Sequence, residues 1–401
     1  MLALLLQGAV ALTAVASPEG TWRAVLDLAG GPLPFALQIG RPAGGGGWFG
    51  QLCNGETCQA FSKVGVEGNS VTLEIADYAA TMTAKLRGDS LAGSYRNVGS
   101  NGPRTIPFRA ARGRPPVTPA PRNLVGRWDA TFFQDLGTSP RVFEFRDGPY
   151  GIQGTLISST SDYGPFSGTA SADSFAIGYF DGSFVYLITG KMKGDTLRGI
   201  FHAGLRTQTP WQAVRSSGAP HLKAPTEITF ADTSQPFRFR FPDLQGRVIG
   251  SDDPRFKGKV VLVDIFGTWC PTCHEGTPEL IRLYNRYRGR GLEIVGLAFE
   301  VSGDSAVDGP LVRRYRDKFR IPFPLLLAGS SDVEAIEGAL PQLRGAGAFP
   351  TIVFLGRDGR VRRVHAGFHG LAAGAQHQRQ VREFEVEIEK LLAENSVNSK
   401  R

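Results

Sequence analysis

The feature that most restricts the fold of this chain is an internal repeat with a constant offset of 106 residues. GTW at 20–22 recurs as GRW at 126–128, and RGDSLAGSY at 87–95 recurs as KGDTLRGIF at 193–201. Because several matches share one offset, duplication explains them better than coincidence does. The first half of the chain therefore consists of two copies of one structural unit.

Both copies have the sequence pattern of short antiparallel strands. Apolar and polar residues alternate at 71–75 in the first copy and at 184–188 in the second. A Gly-Asp pair, which favours a tight turn, follows an alternating run in each copy. We therefore expect two small antiparallel β modules, each a barrel or a sandwich, at residues 17–110 and 123–215.

Two proline-rich segments, 111–122 and 216–227, separate these modules from each other and from the remaining chain. Neither segment has apolar periodicity, so both are predicted to be linkers. Beyond them, KVVLVDIF at 259–266 is apolar nearly throughout, as in a strand that is buried on both faces. A helical spacing of apolar residues follows from Pro271. We expect an α/β domain with a mixed sheet at residues 228–395.

Further elements of this domain are predicted in the same way. LEIVGLAF at 292–299 indicates a second buried strand, and PLVRRYRDKFR at 310–320 indicates a helix. A hairpin that turns at Asp358-Gly359 follows, and a helix closes the domain before a short tail at 396–401.

The first residues predict export from the cytoplasm. Residues 2–15 are uncharged and apolar but too short to span a membrane, and small residues precede Ser17. This pattern predicts a signal peptide at residues 1–16 that is cleaved after Ala16; a buried N-terminal strand or helix is the alternative. No later apolar stretch reaches spanning length, so we expect a periplasmic or otherwise extracytoplasmic protein that does not span the membrane.

The formal net charge of +8 does not indicate a nucleic-acid partner. The lysines and arginines are scattered, and the densest group, RVRR at 360–363, is short. Single-strand binding needs a basic stripe interleaved with aromatic residues, and the sequence has none. We expect no nucleic-acid binding.

The segment TWCPTCHEG at 268–276 carries the chemistry of the α/β domain. Its two cysteines stand between a buried strand and the first turn of a helix, where free N–H groups stabilise a thiolate. Cys270 is therefore predicted to be the nucleophile, and Cys273, one turn further along, to resolve the mixed disulfide. This dithiol chemistry requires no cofactor.

Four alternatives stay open at this point. A zinc site needs two further ligands, and none stands at the usual spacing, so we expect no metal. An inert structural disulfide is the second alternative. A thiol peroxidase is the third, although that chemistry favours a threonine where this chain has Gly267. The fourth is a binding protein whose β modules hold a ligand while the redox domain is ancillary.

Two more residues are predicted to serve the cysteine pair. Asp264 lies in the middle of an apolar strand, where a carboxylate is costly unless it is neutral or useful. A raised pKa would let Asp264 exchange protons with Cys273. Pro350 precedes another strand, where a cis Phe349-Pro350 bond would bring a backbone edge beside the cysteines for substrate binding.

The other two cysteines, Cys53 and Cys58, flank an Asn-Gly pair that favours a hairpin turn. In an oxidising compartment we expect them to form a local structural disulfide that clamps the loop. A relay of electrons to Cys270 is the alternative.

These motifs together resemble the TlpA/ResA-type thiol–disulfide oxidoreductases of the thioredoxin superfamily, over residues of about 236–395. The similar segments are FRFPDLQGRVIGSDDPRFKGKVVLVDIFGTWCPTC, EIVGLAFE and FPTIVFLGRDGRV. The resemblance implies a thioredoxin-like fold in which Cys270 attacks, Cys273 resolves, Trp269 covers the dithiol and Pro350 is cis. It also implies disulfide-containing protein substrates and a reductant that is recharged by a membrane electron carrier.

The chain departs from this family at one position. Many members carry a glutamate three residues after the second cysteine, whereas this chain has Gly276 there and Glu275 one position earlier. Either Asp264 or Glu275 is therefore expected to handle the proton. The β modules are expected to select partners, or else to act as a packed lid or a dimerisation platform, and residues 227–401 are expected to fold and react alone.

Overall fold

The computed structural model describes residues 17–99, 102–218 and 221–394. The predicted signal peptide at 1–16 and the tail at 396–401 lie outside these residues. No helix in the described ranges combines the length and the apolar character that crossing a bilayer requires.

The first module is one antiparallel sheet of nine strands that does not close. Strands β4 and β5 form its two edges, in the order β4-β3-β2-β1-β9-β8-β7-β6-β5. Its strands are β1 Gly20–Leu28, β2 Gly31–Gly40, β3 Phe49–Asn54, β4 Thr57–Ala60, β5 Lys63–Glu67, β6 Ser70–Ile75, β7 Ala80–Arg87, β8 Ser90–Gly99 and β9 Gly102–Arg112.

The second module is a closed antiparallel barrel in which each strand pairs with the next and the last pairs with the first. Its strands are β10 Gly126–Gln134, β11 Gly137–Gly148, β12 Gly151–Ile157, β13 Phe166–Ala170, β14 Ser174–Phe180, β15 Val185–Lys193, β16 Thr196–Ala203 and β17 Thr207–Arg215.

The repeated tryptophan has the same surroundings in both modules. The indole N–H groups of Trp22 and Trp128 each donate to the backbone carbonyl four residues earlier, over 2.9 and 2.8 Å. An arginine from the last strand of each module makes a cation–π contact with the buried indole. The guanidinium of Arg112 lies 4.4 Å from the Trp22 ring, and that of Arg215 lies 4.1 Å from the Trp128 ring. The tryptophan and arginine thus join the first and last strands of each module.

The two modules share one hydrophobic core. Phe180, Val185 and Leu187 of the second module are buried among the core residues of the first. The Phe180 ring lies 5.1 Å from the Phe35 ring and makes an edge contact with Tyr95 at 4.9 Å. The second module therefore fills the opening that the unclosed sheet leaves.

The C-terminal domain contains a five-stranded mixed sheet in the order β23-β22-β21-β25-β26, in which β25 runs antiparallel to the other four strands. The strands of the whole domain, including four short ones outside this sheet, are β18 Phe230–Ala231, β19 Arg240–Pro242, β20 Val248–Gly250, β21 Val260–Phe266, β22 Leu292–Glu300, β23 Leu325–Ser330, β24 Leu343–Arg344, β25 Thr351–Leu355 and β26 Val361–Ala366. Its helices are α1 Pro271–Tyr287, α2 Ser305–Phe319, α3 Val333–Ala339 and α4 Ala375–Ala393.

Both faces of this sheet are buried, as the apolar sequence of β21 predicts. Val260 and Leu262 face the core that helices α1, α2 and α4 cover, whereas Val261 and Val263 face a second core with α3. Asp264 shares the face of Leu262, which is the side of α1, because side chains alternate along a strand. The predicted fold class, two β modules followed by an α/β domain, is confirmed.

Helix α2 begins five residues before the predicted start at residue 310. The Asp304 side chain accepts a hydrogen bond from the Ala306 backbone N–H over 2.8 Å and caps the helix. Pro310 consequently lies inside α2.

The first proline-rich linker is packed against the second module. Ala120 is buried, and its backbone N–H donates to the Asp147 carboxylate over 2.9 Å. Strand β9 also continues to Arg112, two residues past the predicted module boundary, because Arg112 stacks on Trp22.

Candidate active site

The two thiols of the C-terminal domain lie at the start of helix α1. Cys270 is the N-cap residue, and its sulfur accepts a hydrogen bond from the Cys273 backbone N–H over 3.3 Å. Both thiols are free, and both residues are buried, with exposed fractions of 4% and 2%. The free N–H groups of the helix start favour negative charge on the Cys270 sulfur.

Cys273 is held as a thiol. Burial, followed by its contact with Cys270, raises the pKa of Cys273 well above its ordinary value. Its backbone carbonyl accepts hydrogen bonds from Thr277 and from the Tyr315 hydroxyl, both over 3.0 Å. These two bonds fix the first turn of α1 under the dithiol.

Asp264 lies beside this pair on β21 and is 4% exposed. Burial alone raises the pKa of Asp264 to about 7, and one of its carboxylate oxygens has no hydrogen-bond partner among the described residues. The charge of Asp264 in turn raises the pKa of Cys273. A carboxyl group that is half ionised near neutral pH thus adjoins a thiol that resists ionisation.

Phe349, Pro350 and Trp269 form the other wall of the site. The Phe349-Pro350 peptide bond is cis, and the Phe349 carbonyl oxygen lies 3.6 Å from the Cys270 sulfur. The Trp269 ring contacts the Phe349 ring at 5.0 Å, and its indole N–H donates to the Phe299 carbonyl over 3.0 Å. The structure therefore brings together next to Cys270 the Phe349-Pro350 bond, which was predicted to bind substrate, and Trp269, which was predicted to cover the dithiol.

Glu300, at the end of β22, was not singled out from the sequence. Its carboxylate accepts the backbone N–H of Thr268 over 2.7 Å and the Thr268 hydroxyl over 2.8 Å. Burial raises the pKa of Glu300 to about 7, although the two bonds from Thr268 lower it. Glu300 therefore fixes the loop that leads into the cysteines. The sequence feature that could have identified Glu300 is a carboxylate at the end of an otherwise apolar strand.

The first β module contacts the start of α1. The Tyr78 ring lies 5.1 Å from the His274 ring, and Asp77 pairs with Lys318 over 2.6 Å. Burial, followed by the charge of Lys318, lowers the pKa of His274 to about 4, so its ring is neutral. The neutral ring donates to the Thr268 carbonyl over 2.7 Å.

The second β module reaches the dithiol from another side. The Ser183 hydroxyl donates to the Trp269 carbonyl over 3.4 Å. Next to Ser183, burial raises the pKa of Asp181 to about 6. The backbone N–H groups of Ser183 and Phe184 donate to this carboxylate and lower its pKa, but burial has the larger effect. Sequence patterns within one module could not reveal the contact between Ser183 and Trp269, because it joins segments that are 86 residues apart.

Glu275 points from α1 towards the second module. A β-carbon added to Gly370 would lie 1.6 Å from a Glu275 oxygen and 3.2 Å from an Asp162 oxygen, so only glycine leaves room for this pair. Glu275 as a whole residue is exposed. The enclosure of its carboxylate, followed by the charges of Asp162 and Asp181, nevertheless raises the pKa of Glu275 well above its ordinary value.

Cys53 and Cys58 lie opposite each other on β3 and β4 and are joined by a disulfide. Within the three described ranges, no group of three or more His, Cys, Asp or Glu side chains is arranged to hold a metal ion.

Comparison with known proteins shows which proteins the C-terminal domain is similar to. Residues 231–371 match the Redoxin family. The thiol-disulfide oxidoreductase ResA of Bacillus thuringiensis subsp. konkukian is 28% identical over 123 residues, which are 31% of this chain and 62% of that protein. ResA of Halalkalibacterium halodurans is 28% identical over 145 residues, which are 34% of this chain and 73% of that protein. The C-terminal domain is thioredoxin-like and is similar to proteins of the TlpA/ResA type.

Two solved structures illustrate the similarity of fold. The thiol:disulfide interchange protein of Chlorobium tepidum is 22% identical, with a TM-score of 0.31, and the match covers 40% of this chain and 98% of that one. The DsbF homologue of Corynebacterium diphtheriae is 16% identical, with a TM-score of 0.30, and the match covers 42% and 96%.

The two acidic residues that the sequence offered for proton transfer have different neighbours in the thioredoxin-like domain. Asp264 acts on the pKa of Cys273, whereas Glu275 faces Asp162 of the second module. Asp264 is therefore the one of these two residues that lies next to the Cys273 thiol.

Proposed function

We propose that this protein is a thiol–disulfide oxidoreductase that exchanges the Cys270–Cys273 pair with disulfides of protein substrates. One observation carries the proposal: the Cys270 sulfur caps α1 and accepts the Cys273 backbone N–H over 3.3 Å. A helix N-terminus that binds sulfur in this way stabilises the thiolate, which is the reactive form.

In the first step, the Cys270 thiolate attacks one sulfur of the substrate disulfide. A mixed disulfide forms between Cys270 and the substrate, the substrate S–S bond breaks, and the other substrate sulfur leaves as a thiolate. The carbonyl of Phe349, which lies 3.6 Å from the Cys270 sulfur, lines the approach for the substrate backbone.

In the second step, Cys273 must lose its proton before it can attack the sulfur of Cys270. We assign the proton to the Asp264 carboxylate, because a pKa of about 7 lets that group accept and release protons near neutral pH. The Cys270–Cys273 disulfide then forms, and the second substrate sulfur leaves as a thiolate. The two substrate thiolates take up two protons and become a dithiol. Two electrons have moved from the protein to the substrate.

The proposal includes the direction of exchange and the compartment. Electrons would return to Cys270 and Cys273 from a membrane electron carrier, as the family resemblance favours. An extracytoplasmic location is supported by the bonded Cys53–Cys58 pair, since such disulfides persist in oxidising compartments. Fractionation of cells that express the chain with and without residues 1–16 tests the location.

Reduction of insulin by the dithiothreitol-charged protein tests the activity. We expect Cys270→Ser to abolish it, because the attacking sulfur is lost, and Cys273→Ser to accumulate mixed disulfides, because nothing resolves them. A chain with Cys53→Ser and Cys58→Ser is the control and should keep its activity. Insulin reduction by Cys270→Ser at the wild-type rate would refute the proposal.

A further inference from the structure

A cleft opens where the two β modules meet the thioredoxin-like domain. Its volume is about 600 Å³, and Trp269 forms part of its wall. A cleft of this size falls in the range of ligand pockets. Because Trp269 directly precedes Cys270, the cleft adjoins the segment that carries the proposed nucleophile. The cleft is thus placed to hold the part of a substrate that flanks its disulfide.

All three domains leave apolar side chains exposed in this cleft. Val98 of the first module is 54% exposed and Leu205 of the second is 42% exposed. Val301 and Val307 of the C-terminal domain are 40% and 54% exposed. Apolar groups gathered in one concave surface mark a binding site, whereas groups scattered singly do not. The cleft therefore favours an apolar ligand.

Two arginines add positive charge. Neither Arg104 nor Arg206 lies within 4.0 Å of a carboxylate in the described part of the chain. Arg104 is held in place by Asn97 and by the Ser183 carbonyl, whereas Arg206 is exposed in the turn between β16 and β17. Arg206 is therefore available to pair with a carboxylate of a ligand.

Each carboxylate of the cleft is already bound by a partner within the protein. Asp77 pairs with Lys318 over 2.6 Å. Asp308 lies in the first turn of α2, where the helix dipole favours negative charge, and accepts the Ser302 hydroxyl over 2.6 Å. Glu300 accepts the two hydrogen bonds described above. Among the described residues of the cleft, Arg206 is therefore the charged side chain that is left free to pair with an acidic group of a ligand.

We infer that this cleft binds an extended segment of the substrate polypeptide, next to the substrate's disulfide, that carries apolar side chains and a carboxylate. The inference rests on the proposed function, since it gives the β modules the task of selecting substrates for the dithiol. Leu205 and Arg206 would contact the apolar and acidic side chains of that segment.

Three probes test this inference on the full chain. Two are peptides that contain one disulfide and, beside it, a segment of apolar residues. The two peptides are identical except that this segment contains a Glu in one and a Lys in the other. The third, bis(2-hydroxyethyl) disulfide, is too small to reach the cleft and the dithiol together. We expect Arg206→Glu to raise KM for the Glu peptide about tenfold and to lower KM for the Lys peptide, at unchanged kcat.

Further variants separate apolar from charged contacts. Leu205→Asp should raise KM for both peptides about tenfold. Arg198→Glu and Leu136→Asp are the matched controls, because both side chains are exposed on the second module outside the cleft. They should leave every KM unchanged. No variant should alter the reduction of bis(2-hydroxyethyl) disulfide, and circular dichroism should match the wild type.

Two results overturn the inference: equal KM values for the Glu and Lys peptides, or the same KM for Arg206→Glu as for Arg198→Glu. Failure of the wild type to reduce bis(2-hydroxyethyl) disulfide would instead refute the proposed function. Calorimetric binding of the Glu peptide to the Cys270→Ser chain, which does no exchange, still tests the cleft in that case. Loss of that binding in Arg206→Glu supports the cleft, and unchanged binding contradicts it.

Discussion

Asp264 occupies a position where an ionised side chain is poorly solvated. The unfolded chain releases this proton near pH 4, whereas the folded chain keeps it until a pKa of about 7. The folded state therefore binds more protons between these values, and stability falls as pH rises through this window. A buried acid that lowers the stability of its own domain is expected at a functional site.

Asp264→Asn should remove this pH dependence. We expect the unfolding free energy of the thioredoxin-like domain to fall less between pH 4 and pH 8 in the variant than in the wild type, by at most about 4 kcal/mol. Hydrogen exchange of the backbone amides of β21, followed in urea at both pH values, measures this unfolding free energy. Glu67→Gln, at an exposed site on β5, is the control. The attack of Cys273 on the mixed disulfide should also be slower in Asp264→Asn. If the pH profile of this step is the same in the variant and in the wild type, Asp264 has only a structural role.

The predictable part of the site is the part that lies on one continuous strand and helix. Asp264, Cys270 and Cys273 belong to β21 and the start of α1, so local periodicity was sufficient to place them. Tyr78 and Ser183 come from other domains, and a pattern within one segment carries no information about which distant segment packs against it.

At the scale of elements, the two aspartates that precede α2 and α3 form a matched pair. The Asp304 carboxylate accepts the Ala306 N–H, whereas Asp332 makes no side-chain capping bond to its helix. Asp304→Ala should therefore lower the unfolding free energy by about 1 kcal/mol, and Asp332→Ala by less. Urea denaturation of both variants measures the difference, and equal losses would contradict the capping role.

The disulfide hairpin of β3 and β4 holds the two modules together. Asn54, next to Cys53, donates to the Phe180 carbonyl over 2.8 Å and accepts the Phe180 N–H over 3.0 Å. The side-chain amide thus pairs with Phe180 as a strand would. The disulfide fixes the strand end that carries this amide.

Replacing both cysteines tests this role. We expect Cys53→Ser with Cys58→Ser to lower the unfolding free energy by about 2 kcal/mol, because the reduced chain has a more disordered unfolded state. Thermal denaturation of the first module checks it, with and without a reductant. The reductant should destabilise the wild type and leave the double variant unchanged; an equal effect on both would exclude the clamp.

The fold of the first module shows what element-level patterns leave open. Alternation and Gly-Asp turns predicted antiparallel strands in both copies, and both consist of them. The patterns did not distinguish the closed barrel of the second copy from the open sheet of the first, because closure depends on whether β4 and β5 meet. In the first copy Phe180 and its neighbours occupy that opening instead.

At the scale of the whole molecule, the β modules pack against the redox domain around the Glu275 and Asp162 carboxyl groups. Burial raises the pKa of both groups, so packing favours the protonated forms. Packing should therefore be strongest at low pH and weaken as pH rises above the ordinary carboxyl range. The domain boundaries and the independent folding of residues 227–401 stay predictions, although the core of the redox domain draws on its own residues.

Small-angle X-ray scattering tests the pH effect. A compact chain of this length has a radius of gyration of about 21 Å. We expect the wild type to be near this value at pH 5 and to expand at pH 8, and Glu275→Gln to stay compact at both. Glu334→Gln, exposed on α3, is the control and should follow the wild type. Expansion of Glu275→Gln like that of the wild type would contradict the role of this pair.

The shared core of the β modules has a consequence for synthesis on the ribosome. The first module is complete in sequence at Arg112, but the residues that fill its opening, Phe180 to Leu187, are translated later. At the usual elongation rates this interval lasts about 4 to 15 seconds. During that time the nascent chain presents the uncovered interior of its first sheet, so a holding chaperone has its longest opportunity to bind between these two points of translation.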